Sequence, residues 1–232
     1  MRNFTHLKGE FEAEGLSLSE MSALLSVCND KNVPIAIKIG GCEAKSDFEF
    51  CRKVNADIVV TPMVESGFAA SKVVAMISEW QPRKMYINIE TKNSIEHLDE
   101  IISVIAPHNI GIVFGRSDYS ASIGRKGEVN CDEVISAVQK VANKCLVHGL
   151  PLTVGGGMNY EGYKILKKNE IIYQALNCVE TRKVIFDAKS DLTEEDFLGA
   201  IELEKTILEN RVNIITSEIE AKKQRISQIL SR

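Results

Sequence analysis

The sequence predicts an α/β fold of the (β/α)8 barrel class with a long C-terminal helix, on three observations. Short apolar runs of strand length recur about every 20 to 30 residues. Each is followed by apolar residues at helical spacing, the sign of strands joined by crossover helices into a parallel sheet. Most of these runs end in charged or glycine-rich chemistry, as expected where the carboxyl ends of parallel strands share one rim.

Met85–Ser122 shows the unit most clearly. The runs Met85–Ile89 and Ile110–Phe114 flank Ile95, Leu98, Ile101, Ile102 and Ile105, which recur at helical spacing. Two parallel strands of one βαβ unit place Glu90 and Asp118, which follow them, on the same rim. Paired carboxylates there are candidates for a hard cation such as Mg²⁺, which is often held by one or two carboxylates with waters and substrate oxygens. The alternative is that Glu90 caps a helix and Asp118 closes a turn.

Upstream, residues 7–13, LKGEFEA, read as a short strand, unusual in its three charges. Ser17 or Ser19 caps a helix carrying Met21, Leu24, Leu25 and Cys28. Ile35–Ile39 is a second strand, interrupted by Lys38 and ended by Gly40-Gly41, and Phe48, Phe50, Cys51 and Val54 mark the next helix. Asp57–Thr61 is a third, ended by Pro62, before a helix from Phe68 to Trp80.

Downstream, 120–130 reads as a polar loop arching over the rim, followed by a helix over Cys131–His148. Leu150–Val154 is a strand stopped by Gly155-Gly156-Gly157, whose amides could approach an anion or turn the chain sharply. A short helix with Tyr160, Tyr163 and Leu166 follows, and VETRKVIF, Val179–Phe186, reads as the final strand. Seven strands are legible. The eighth is missing: it lies in Asn3–Leu7, comes from a partner chain, or is absent.

These strands assign residues 1–192 to the barrel and 193–232 to a C-terminal helix. Leu208, Val212, Ile215, Ile219, Ile226 and Ile229 form a seam of alternating four- and three-residue steps, interrupted by Lys222. Self-association into a homo-oligomer is the preferred reading, with packing along the barrel as the alternative.

With 28 basic and 32 acidic side chains, a formal charge of −4 and no basic block, a nucleic-acid partner is not expected. No run of 18 uncharged apolar residues occurs, and the N-terminal stretch lacks the apolar core of a secretory signal; a soluble, cytoplasmic protein with no membrane partner is the expectation. The six cysteines form no CxxC pair, and Cys28, Cys51 and Cys145 fit as small buried hydrophobes. Cys42, at a strand end, is the only one placed for nucleophilic chemistry, although no histidine lies near it in sequence.

Taken together, the strand ends offer Glu10, Glu12, Lys38, Gly40, Gly41, Glu65, Ser66, Glu90, Arg116, Asp118, the Gly155 run and Arg182. Acids alternate with cations there, as a divalent ion plus a small anionic carboxylate substrate would require. Four of the segments, KIGGCEA (38–44), TPMVES (61–66), NIET (88–91) and FGRSDYSAS (114–122), resemble those of the HpcH/HpaI aldolase and citrate lyase beta-subunit family of phosphoenolpyruvate/pyruvate-type barrels. The similarity spans roughly Glu10 to Arg182.

That resemblance implies a class II aldolase-like carbon–carbon lyase in which Glu90 and Asp118 hold Mg²⁺ or Mn²⁺ and a small 2-oxo acid reacts through a metal-stabilised enolate. Together with the strand-end reading, this makes Lys38, Glu12 and Arg116 the candidate catalytic groups, with Gly40, Gly41, Glu65, Ser66, Gly115, Ser117, Gly155 and Gly156 the candidate substrate contacts. The family carries an arginine where this chain has Lys38, and a histidine base where it has EFEAEG, so Glu12 or a metal-bound water has to take the proton. Acyl-CoA cleavage of the citryl or malyl type, phosphoenolpyruvate-type chemistry, and a non-catalytic barrel with an assembly role are the alternatives.

Overall fold

The structure, a computed structural model, describes residues 4–78 and 80–231. The chain begins with β1 (Phe4–Glu10), α1 (Leu18–Lys31), β2 (Ile35–Lys38), α2 (Lys45–Lys53), β3 (Ile58–Thr61) and α3 (Gly67–Ile77). It continues through β4 (Lys84–Ile89), α4 (Lys92–Glu96), α5 (Leu98–Ile105), β5 (Gly111–Gly115), α6 (Arg116–Ser122) and α7 (Asp132–His148). Then come β6 (Leu152–Gly155), α8 (Tyr160–Lys168), α9 (Glu170–Ala175), β7 (Leu176–Glu180), β8 (Val184–Asp187) and α10 (Glu194–Leu230). The eight strands close into a barrel in chain order.

Local chemistry sets the boundaries. Ser17, not Ser19, caps α1, with Glu20 closing a reciprocal capping box. Ser66 caps α3 through Ala69 N, and Asn159 caps α8 through Gly162 N. Cys28, Cys51 and Cys145 are buried as small apolar residues. Outward-facing strand residues such as Ile37, Val59, Ile87, Ile112 and Val154 pack under the helices, while Ala36, Ile58, Val60, Tyr86, Val113 and Ile185 form a separate cluster inside the barrel.

The eighth strand was hidden inside the apparent seventh. VETRKVIF is not one strand: β7 and β8 form a hairpin across Thr181-Arg182-Lys183, antiparallel to each other. Thr181 makes the break, because its amide donates to Val184 O at 2.9 Å and its hydroxyl accepts from Val184 N at 3.2 Å. β8 then closes the barrel against β1, also antiparallel; the sheet is otherwise parallel. The alternative position for this strand, Asn3–Leu7, belongs largely to β1, and Asn3 lies outside the described residues.

The segment 120–130 is not all loop. Its first residues continue α6, with Ser120 and Ser122 hydroxyls donating to the carbonyls of Ser117 and Tyr119 at 2.8 and 2.7 Å. The chain turns only at Gly124 and Gly127, both at positive φ.

Of α10, Phe197 and Ala200 are buried. Phe197 stacks on Phe186 at 5.2 Å between ring centroids and lies 6.0 Å from Tyr163. Farther along, Arg211 pairs with Glu20 at 2.6 Å and donates to Glu14 O at 3.0 Å, so the helix also grips the loop after β1. The seam residues Leu208, Val212, Ile215, Ile219, Ile226 and Ile229 are exposed. Phe197→Ala, which empties an aromatic socket, is expected to cost about 3–5 kcal/mol, read as a lowered urea midpoint.

Candidate active site

Period-two alternation decides which strand residues face the barrel axis. On β1 these are Lys8 and Glu10, the latter in register with Lys38 of β2. On β4, Asn88 faces inward and Glu90 follows at the strand's end. At the carboxyl rim these side chains border a cavity of about 380 Å³, completed by Gly115, Ser117 and Asp118, by Gly156 and Glu180, and by Arg182, Ile201 and Glu204.

Glu90 is the most constrained member, 2% exposed. One carboxylate oxygen accepts from Met63 N at 2.9 Å and the other from Asn88 Nδ2 at 2.8 Å. Met63 has a φ of 54°, in the left-handed region that residues other than glycine seldom adopt; the turn after β3 thereby aims this amide at Glu90. Gly115 makes room for the group, since a Cβ there would lie 2.8 Å from both Glu90 Cβ and Glu90 Oε2. Burial raises the Glu90 pKa, against the opposing pull of the Lys38 ammonium and the two hydrogen bonds.

Lys38 Nζ lies 3.1 Å from Glu12 and 3.8 Å from Glu90. Burial works to lower its pKa, but Glu90, Glu10 and Glu12 outweigh it and the pKa is raised. At neutral pH Lys38 is therefore an ammonium, a fixed positive charge and not the free amine that Schiff-base chemistry needs. Beside it, Lys8 is buried between Glu180 at 2.7 Å and Glu10 at 3.5 Å.

The structure thus gathers Lys38, Glu90, Gly115, Ser117, Asp118 and Gly156 around one cavity, with Glu12 in contact with Lys38. It does not bring Glu12, Gly40, Gly41, Glu65, Ser66 or Gly155 to the cavity lining. Glu65 accepts from the Thr91 hydroxyl, Ser66 caps α3, and Gly40 N donates to Asp47 at 2.8 Å. Arg116 also points elsewhere. It is wholly buried, donates to Gly155 O at 3.0 Å and to Asn130 Oδ1 at 2.6 Å, and burial lowers its pKa to about 10. Its guanidinium ties β5 to β6 under the rim instead of meeting a ligand. Burial likewise raises the Cys42 thiol, the reverse of an activated nucleophile.

Sequence reasoning missed Lys8, Asn88, Glu180 and Glu204. The signal for Asn88 was its place two residues before Glu90, on the same strand face. Glu204 had no such signal, because it reaches the cavity only through the docking of α10.

Several features fit a hard cation. Among the described residues that line the cavity, five carboxylates (Glu10, Glu90, Asp118, Glu180, Glu204) face three cations (Lys8, Lys38, Arg182), a formal surplus of two negative charges. Asn88 Oδ1 is buried with no hydrogen-bond partner among the described residues, an oxygen donor of the type Mg²⁺ and its waters use. Glu90 and Asp118, which feel each other electrostatically, are the carboxylates that could hold such an ion. Among the described residues no group of three or more His, Cys, Asp or Glu side chains is arranged to hold a metal ion, so a cation here would rest on the two carboxylates with oxygen donors of other kinds.

Fold and cavity define an α/β barrel protein with its polar site at the carboxyl rim. Residues 41–154, just under half of the chain, match the sequence profile of the HpcH/HpaI aldolase/citrate lyase family. No curated protein matches it in sequence. Among solved structures it is similar to an HpcH/HpaI aldolase from Desulfitobacterium hafniense DCB-2, with 16% identity, TM-score 0.61, and 76% of this chain and 77% of that one covered. An HpcH/HpaI aldolase/citrate lyase family protein from Burkholderia cenocepacia J2315 aligns at 12% identity, TM-score 0.65, covering 89% and 86%. The citrate synthase SbnG aligns at 13% identity, TM-score 0.63, covering 90% and 85%.

The raised pKa of Glu90 has a stability consequence of definite sign. A carboxyl whose folded pKa exceeds its unfolded one contributes stability below the unfolded value, and that contribution is lost as pH rises through the folded value. Wild type is therefore expected to lose stability relative to Glu90→Gln as pH rises above the ordinary carboxylate range, measured as the difference in urea midpoints; a pH-independent difference contradicts the assignment.

Proposed function

We propose that this protein is a divalent-metal-dependent carbon–carbon lyase of the aldolase type, acting on a small 2-oxo acid. The observation that carries the reading is the convergence of Glu90, Asp118 and the unpartnered Asn88 Oδ1 on one cavity with two surplus negative charges. Glu90 and Asp118 would hold Mg²⁺ or Mn²⁺, and the ion, when bound, supplies Lewis-acid neutralisation of the oxygen charge that develops as the carbon–carbon bond breaks.

The chain's own groups do the rest. The Lys38 ammonium offers a second positive charge to the 2-oxo acid, as a point charge and not a bidentate fork. Proton transfer does not fall to a histidine. His97, His108 and His148 are exposed on the helical layer, and His6 borders a different cavity. In this reading Glu12, which reaches the site only through its ion pair with Lys38 at 3.1 Å, or a metal-bound water would accept the proton. Gly115, Ser117 and Gly156 leave backbone and hydroxyl contacts open to the substrate. The exposed seam of α10, residues 208–229, supports self-association into a homo-oligomer through the C-terminal helix.

Calorimetric titration of Mg²⁺ and Mn²⁺, with and without oxalate as an enolate mimic, tests this. Wild type is expected to bind the ion more tightly with oxalate present, and Glu90→Gln/Asp118→Asn to lose at least about 100-fold in affinity. No binding by wild type, or undiminished binding by the double variant, sinks the proposal.

A further inference from the structure

A second interior cavity, of about 210 Å³, lies in the lower half of the barrel, away from the rim. Its apolar wall is Ile58, Val60, Tyr86, Val113 and Ile185. Barrel interiors are ordinarily filled by layers of bulky branched side chains. Here the lining includes the small Thr153 and Cys178, and Gly111, in register with Tyr86, is a position where a Cβ would collide with the Tyr86 ring. The ring lies over that bare backbone, and the small residues leave the space unfilled.

The inner polar groups already have partners. The Tyr86 hydroxyl and the Cys178 thiol both hydrogen-bond with Thr153. The Thr5 hydroxyl donates to Ile185 O at 3.2 Å, and His6 Nδ1 meets Thr5 Oγ1 at 3.0 Å. Glu180 holds Lys8 at 2.7 Å, and Asp187 accepts from Lys189 N at 2.8 Å. What stays open to a guest is the apolar wall and one charge.

That charge is Lys84. It lines both this cavity and an adjoining recess of about 310 Å³, which also shares Tyr86 and Cys178. The recess adds Arg83 and His108 and, among the described residues, no carboxylate. Arg83 pairs with Asp57 at 3.6 Å, whereas Lys84 has no ion pair among the described residues. The Lys84 charge is felt by both His6 and Cys178, so the ammonium stands at the junction of the two spaces. Burial first, and then Lys84, lower the His6 pKa; the ring is neutral, and Lys84 is the one cation of the inner lining among the described residues.

We propose that the lower end of the barrel is a binding site for a small organic monocarboxylate, its apolar body of about one six-membered ring held inside the barrel and its carboxylate on Lys84. The size follows from the volume, since an apolar cavity of about 150 Å³ holds benzene. A dicarboxylate would bring its second charge against Glu180 at the inner end. A polyol would bury hydroxyls where the wall offers few free partners, and an ammonium would meet Lys84. The site is distinct from the one at the rim, because the Lys8, Glu180 and Glu10 trio stands between them.

The test titrates benzoate, benzyl alcohol and benzylamine into full-length protein carrying ¹³C-labelled Ile and Val methyl groups, without divalent metal, and follows the methyl resonances by NMR. The expected result is saturable benzoate shifts at Ile58, Val60 and Ile185 with a Kd of about 1 mM or tighter, and binding of the alcohol and the amine weaker by about tenfold or more. Lys84 is exposed, so Lys84→Gln leaves the fold intact; it is expected to weaken benzoate about tenfold or more and to leave benzyl alcohol unchanged. Absence of saturable shifts at these three residues, shifts confined to Ile201 at the rim, equal binding of the alcohol or the amine, or unchanged benzoate affinity in Lys84→Gln overturns the proposal.

Discussion

The placement of Glu90 depends on charge held inside a barrel. Taking a carboxylate out of water costs several kcal/mol, and this one is 2% exposed. Two N–H donors and the nearby Lys38 ammonium offset that cost, and its pKa stays raised all the same. The backbone contributes too: Met63 adopts a left-handed conformation and position 115 is occupied by glycine, the residue without the Cβ that would collide with Glu90. A group placed at this expense in a cavity with surplus negative charge is one that a cation would relieve.

The same economy explains why the barrel interior is divided. Its lower part is the small apolar cluster of Ala36, Ile58, Val60, Val113 and Ile185 around Tyr86. Above it Lys8 is clasped by Glu180 and Glu10, and above that the cavity opens. The Lys8 trio separates the apolar layer from the polar one, and each of its charges has an opposite neighbour, as burial requires.

Much of this was legible in the sequence because it follows from periodicity. Strand ends carry rim chemistry whatever the loops do, so Glu90, Asp118 and Lys38 could be placed together from apolar runs alone. Three things were not legible. The β7–β8 hairpin reads as one strand, since the three-residue turn 181–183 contains neither glycine nor proline and its hydrogen bonds come from the Thr181 amide and side chain. Arg116 sits beside a rim residue in sequence, yet its side chain turns under the rim, because direction at a strand-to-helix junction is set by the backbone turn and not by order along the chain. Glu204 and Ile201 depend on how a long helix docks, which follows from Phe197 filling its socket and Arg211 gripping the loop after β1.

The central claim is that Glu90 and Asp118 form one cation site at the rim. It is tested most directly by a crystal structure of the Mn²⁺-soaked protein with an anomalous difference map recorded at the manganese edge. The account predicts a single strong peak within ligand distance of both carboxylates. A peak confined to other carboxylates, or none at saturating Mn²⁺, contradicts it.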